Sequence, residues 1–172
     1  MIIKSKVVDA MNAQIRSEFS ASAQYVAIAI YFDEESLPQL AQFFYTQAEE
    51  ERMHAMKFVH FMLDAGAKPI IPSTPELKNE FGSAAEAVQY ALDQEMKVTD
   101  EINNLVSLAT AENDHISNQF LQWFVMEQVE EVSTMTDLLQ TIKHAGNNML
   151  FVEDYVMRNP QHDNEAGGAE AA

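Results

Sequence analysis

Gly66-Ala67-Lys68-Pro69-Ile70-Ile71-Pro72-Ser73-Thr74-Pro75-Glu76-Leu77-Lys78-Asn79-Glu80-Phe81-Gly82 carries three of the five prolines in a chain of 172 residues. A structureless connection of that length is unusual inside a compact domain. It makes sense if the chain must travel the length of something long. Seventeen extended residues reach roughly 56–61 Å, and a 30-residue helix measures about 45 Å. The flanking sequence supplies such helices. Apolar residues recur with helical period over 5–33 and 36–65 before the segment, and over 83–112 and 116–145 after it. The first two helices are joined by about three residues, and the last two by Asn113-Asp114-His115. Tight joints make antiparallel neighbours, so the reading is an all-α, four-helix bundle with one long crossover.

Local signals mark the ends. Ser36 ahead of Leu37-Pro38 reads as an N-cap with proline opening the helix. Ser83-Ala84-Ala85-Glu86 has the form of a capping box. Gly66 and Gly146 stand where helices end in a left-handed residue. A fifth, shorter apolar helix is predicted over 148–157, and it cannot bury itself alone. Residues 1–158 form one domain, and 159–172 read as an acidic flexible tail. Lys and Arg number 10 against 27 Asp and Glu, a formal net charge of −17, which argues against nucleic acid and anionic membrane faces as partners. There is no cysteine, which excludes disulfides, thiolate zinc sites and Fe–S clusters. No apolar run is long enough to span a membrane, and the N-terminus has no signal-peptide pattern, so a cytoplasmic location is expected.

Writing each helix as a 4,3,4,3 seam exposes an anomaly. The first seam runs Met11, Ile15, Glu18, Ser22, Tyr25, Ala29. The second runs Leu40, Phe44, Gln47, Glu51, His54, Phe58, Phe61. The third has Val88, Ala91 or Leu92, Glu95, Val98 or Thr99, Ile102 and Leu105, and the fourth Leu121, Phe124, Gln128, Glu131, Met135, Leu138 and Ile142. Each apolar stripe is broken by one glutamate near its helix midpoint, and in an antiparallel bundle midpoints share a level. One seam glutamate alone would read as a stripe-edge residue reaching solvent. Four buried carboxylates at one depth would each cost several kcal/mol or take up a proton, and no seam Lys or Arg faces them. Cations resolve the conflict, and carboxylate oxygen with imidazole suits iron, manganese or zinc. Glu51-Arg52-Met53-His54 places a Glu–His pair at i, i+3 on one face. Glu50, Glu127 and Glu130 flank the seam, where spacing alone reads them as a solvated acidic face.

Glu18 with Tyr25 seven later, Glu49-Glu50-Glu51-Arg52-Met53-His54, Glu95, and Leu121-Gln122-Trp123-Phe124-Val125-Met126-Glu127-Gln128-Val129-Glu130-Glu131 together resemble the bacterial non-haem ferritins. The wording of residues 24–33 is similar to actinobacterial members. The resemblance covers roughly residues 5–158. It implies a ferritin-like bundle with a short fifth helix and a homo-oligomer of 24 subunits. It also implies a ferroxidase that uses Fe²⁺ and O₂ (or H₂O₂) and stores the ferric mineral in the shell. Carried over, Glu18, Glu51 and His54 would hold a first iron, and Glu51 would bridge to a second held by Glu95 and Glu131, with Gln128 close by. Glu50, Glu127 and Glu130 would form a third iron site. Tyr25 and Trp123 match aromatic residues near the centre, where core packing and electron donation are both open. Asp114 matches a channel carboxylate by analogy, although the sequence itself favours a charge complementing the helix dipole.

Departures separate the chain from related groups. Val98 and Thr134 stand three residues after Glu95 and Glu131, where bacterioferritins carry a second Glu–His pair. Arg52 occupies the position of their haem-ligating methionine, so no haem is expected. Two other functions share the ligand set: a soluble di-iron oxidase of organic substrates, which would need more chain around a substrate pocket, and a structural shell subunit without turnover.

Overall fold

The structure, a computed structural model, describes residues 1–160. Five helices and no strand are found among them: α1 Ser5–Glu34, α2 Pro38–Asp64, α3 Ala84–Ala111, α4 His115–Ala145 and α5 Met149–Arg158. The four long helices form the predicted bundle. α1 packs along α2, α3 along α4 and α1 along α3, while α5 lies across the end formed by α2 and α4. Most of the tail expected over 159–172 lies outside the described residues.

The crossover follows α1. Ile70 N donates to Asn12 Oδ1 at 2.7 Å, and Gln24 exchanges two hydrogen bonds with the Lys78 backbone at 2.7 and 2.9 Å. Asn12 and Gln24 are twelve residues apart, roughly 18 Å along the helix. The segment is thus pinned near both ends.

Three helices close with the same hydrogen-bond pattern, in which the second residue past the cap donates back five positions. Leu37 N donates to Phe32 O, Ala67 N to Met62 O and Asp114 N to Ala109 O. The left-handed residue in each is Ser36 (φ 59°), Gly66 (φ 75°) and Asn113 (φ 54°). Ser36 is therefore not the N-cap of α2. The three-residue turn consumes it as the terminator of α1, and Leu37 takes the cap position without a side-chain bond. Glu153 of α5 does the capping instead, accepting from Gln39 N and Leu40 N at 2.9 Å each. The capping box of α3 is half as expected. Ser83 Oγ accepts from Glu86 N at 3.1 Å, but the Glu86 carboxylate takes Gly82 N rather than Ser83 N. Asp114 is buried and caps α4, with one oxygen on Ser117 N and the other on Lys4 N. Both of its oxygens serve the fold, in keeping with the helix-terminal role the sequence favours.

The apolar core is in two parts. One gathers Tyr25, Phe32, Phe44, Val88, Met135 and Val152 at the α5 end. The other gathers Met11, Ile15, Phe58, Met62, Ile102, Leu121 and Phe124 at the opposite end. On every helix the seam glutamate falls between the two. The carboxylate layer is the waist of the molecule.

Candidate metal centre

Each long helix delivers its donors to this waist because its seam points inward there. Glu18, Glu51, His54, Glu95, Gln128 and Glu131 are all at most 5% exposed. Three groups have donor atoms within 4.8 Å of one another: Glu18 with Glu51 and His54, Glu51 with Glu95 and Glu131, and His54 with Glu127 and Glu131. Glu51 is common to the first two. It stands between them as a carboxylate with two oxygens can.

Hydrogen bonds orient the donors. Gln14 Nε2 donates to Glu18 Oε1 at 2.8 Å. Tyr25 Oη donates to Glu95 Oε1, and Gln128 Nε2 reaches Glu95 Oε2 at 3.2 Å and Thr99 Oγ1 at 3.1 Å. His54 Nδ1 lies 3.4 Å from Glu51 Oε2, and Nε2 lies 3.9 Å from Glu127 Oε1. Glu18 Oε2 is buried and meets no donor. A proton shared with the facing Glu51 carboxyl, or a cation, would satisfy it.

Electrostatics state the same conflict. Burial pushes the carboxyls of Glu18, Glu51 and Glu131 well above the usual range and raises Glu95 as well. Charge repulsion adds to it: Glu51 acts on Glu18, Glu95 on Glu51, and Glu95 and Glu51 on Glu131. Burial, then Glu95, also holds the Tyr25 hydroxyl well above its ordinary value. Without cations the waist keeps protons, and cations would displace them.

Of the flanking residues, Glu127 comes in to His54 and Glu131. Glu50 and Glu127 lie close enough to raise Glu51 and Glu131 by their charge. Glu130 is exposed. Trp123 is 36% exposed, sets its edge against His54 at 5.5 Å and carries Lys57 Nζ 4.1 Å above its ring, so it is not plain core. Gln14 had no role in the sequence reading, and Gln47 and Thr99 appeared there only as seam positions. Their signal is spacing, since each stands four residues from a seam glutamate.

A helical bundle with a carboxylate–histidine cluster between two apolar halves has the donors to hold metal ions, as bundles with inward glutamates do. A family profile described as Ferritin-like domain matches residues 8–145. "Ferritin BfrB" of Mycolicibacterium smegmatis is 48% identical over 163 residues, covering 91% of this chain and 90% of that protein. "Bacterial non-heme ferritin" of Staphylococcus saprophyticus is 35% identical over 155 residues, covering 88% and 93%. Among solved structures, an open pore ferritin from Archaeoglobus fulgidus superposes with a TM-score of 0.87 at 31% identity, covering 91% of this chain and 96% of that one. The chain belongs to the ferritin family. Its place is among proteins of iron storage, beside the bacterial non-haem members.

Proposed function

We propose that the waist is a ferroxidase centre and that the chain is the subunit of a 24-membered iron-storing shell. One observation carries the reading: two buried three-donor groups share Glu51, which suits a pair of cations a few ångströms apart. The donor set also fits iron, being carboxylate oxygen with one imidazole. Iron is substrate and cargo here. Two Fe²⁺ ions each give up one electron, O₂ takes both with two protons, and the ferric ions hydrolyse to mineral. The chain's part is to bind, orient and select charge. Its anionic donors stabilise Fe³⁺ over Fe²⁺ and so favour oxidation. Gln14, Tyr25 and Gln128 hold the carboxylates in place. Glu50, Glu127 and Glu130 would take a third iron at the edge of the waist.

Assembly has its own support. α5 buries Val152 and Val156 against the bundle but leaves Leu150, Phe151 and Met157 exposed, an apolar face that neighbouring subunits would cover. No helix of the described residues is long and apolar enough to cross a membrane.

The test is iron loading in air followed by size separation, with iron assayed against protein. Twenty-four copies of 19.4 kDa give a particle of roughly 466 kDa, and hundreds of irons should travel with it. Two or three irons per chain on a small species would instead mean a di-iron enzyme of organic substrates. Unchanged oxidation by Glu51→Ala would overturn the assignment of catalysis to the waist.

A further inference from the structure

We propose that Gln47 belongs to the third cation position, where its side chain holds Glu50 in place and its amide oxygen serves as a neutral donor. The inference rests on the reading above, in which the acidic edge of the waist takes a third ion.

Gln47 stands one helical turn before Glu51 on the α2 seam and is 2% exposed. Its Nε2 donates to Glu50 Oε2 at 2.5 Å. Its Oε1 is buried and has no hydrogen-bond partner. The amide is planar, so an oxygen whose nitrogen is bonded to Glu50 is itself held beside that carboxylate. The adjoining acidic side chains on the same helix, Glu50 bonded to this amide and Glu51 one turn on, offer acceptors to it when ionised. An amide oxygen facing carboxylates is repelled by them, and a buried acceptor without a donor costs about 1–3 kcal/mol. A cation reverses the sign of both terms. The amide oxygen is a hard donor of the kind divalent cations accept beside carboxylates. It also adds a ligand without adding negative charge to a cluster already crowded with it. Its helix neighbours Phe44 and Ala48 are apolar and buried, so the polar group at position 47 is not required by its immediate surroundings on the helix. The polar group answers to the site.

The experiment is calorimetric titration of the assembled, metal-free protein with Zn²⁺, which is redox-inert, with ions counted per chain by elemental analysis. The wild type should take three ions per chain. Gln47→Leu should take two, or bind the third at least tenfold more weakly, with the first two steps unchanged within twofold. Gln47→Glu should restore the third ion. Gln47→Met, of similar length and without the oxygen, carries the same expectation if the Leu variant does not fold. Three ions of unchanged affinity in Gln47→Leu or Gln47→Met would overturn the role of Gln47 while leaving the third site standing. Equal weakening of all three steps would overturn it too, because the effect would then be general. Only two ions in the wild type would remove the third site and this inference together.

Discussion

Glu95 accepts from Tyr25 on one oxygen and from Gln128 on the other, so its carboxylate is oriented before any cation arrives. A hydrogen bond to a charged group contributes about 1.5–3 kcal/mol. Partners of this kind typically change metal affinity 10–100-fold. Tyr25→Phe should therefore weaken the second Zn²⁺ binding step about tenfold and leave the first, at Glu18, Glu51 and His54, within twofold. Calorimetry on the metal-free protein separates the two steps, and equal affinities in both would remove Tyr25 from the site. The donors themselves were legible in the sequence because a glutamate on an apolar seam breaks a pattern. The hydrogen bonds by which Tyr25 and Gln128 support them were not. A Tyr or Gln on a seam reads the same whether it packs or donates. The difference lies in what faces it, and Glu95 is 70 residues from Tyr25.

At the scale of the helices, the end of α1 and the start of α2 carry a local misfit and a distant remedy. Ser36 holds φ 59°, a conformation that costs a residue with a Cβ roughly 1–2 kcal/mol, partly offset by the greater freedom glycine has in the unfolded chain. Ser36→Gly should stabilise the protein by about 0.5 kcal/mol, raising Tm by roughly 1–2 °C in a thermal melt, and a fall would show that the side chain serves the turn. The start of α2 has no cap of its own and borrows Glu153. Loss of a helix cap costs about 0.5–2 kcal/mol, and this one also ties α5 to the bundle. Glu153→Ala should lower Tm and speed hydrogen exchange at Gln39 and Leu40. Unchanged exchange there would mean that α2 is capped without it. The four-helix pattern, the crossover and the helix ends were readable within a residue or two because they rest on local period and on turn chemistry. The cap of α2 was unreadable because its donor groups and its acceptor are 113 residues apart. Ser36 in its place looked like a cap because serine favours both positions.

For the whole molecule, the waist sets a fold against its own charge. The carboxyls of Glu18, Glu51, Glu95 and Glu131 are raised in the folded state, with burial as the first cause. In the unfolded chain they titrate near the ordinary value of about 4.3. Between that value and their raised ones, the folded state binds more protons than the unfolded state. Unfolding free energy must then fall as pH rises through the window. Metal-free protein should therefore melt at a lower temperature at pH 8 than at pH 5.5. The formal charge of −17 pulls the same way through self-repulsion, so the slope alone does not locate its source. Glu51→Gln separates the two causes. It removes one unit from a charge of −17, a small change to the overall field, but it takes out the carboxylate that Glu18 and Glu131 both feel. If the waist is the source, metal-free Glu51→Gln should melt higher than wild type at pH 8 and show a visibly shallower pH slope. Zn²⁺ should then flatten the wild-type profile while releasing protons into a weakly buffered solution, because the cation replaces them on the same oxygens. A Glu51→Gln slope equal to that of the wild type would assign the pH dependence to the surface, and the waist would have to be held in its metal-free form by something other than protons.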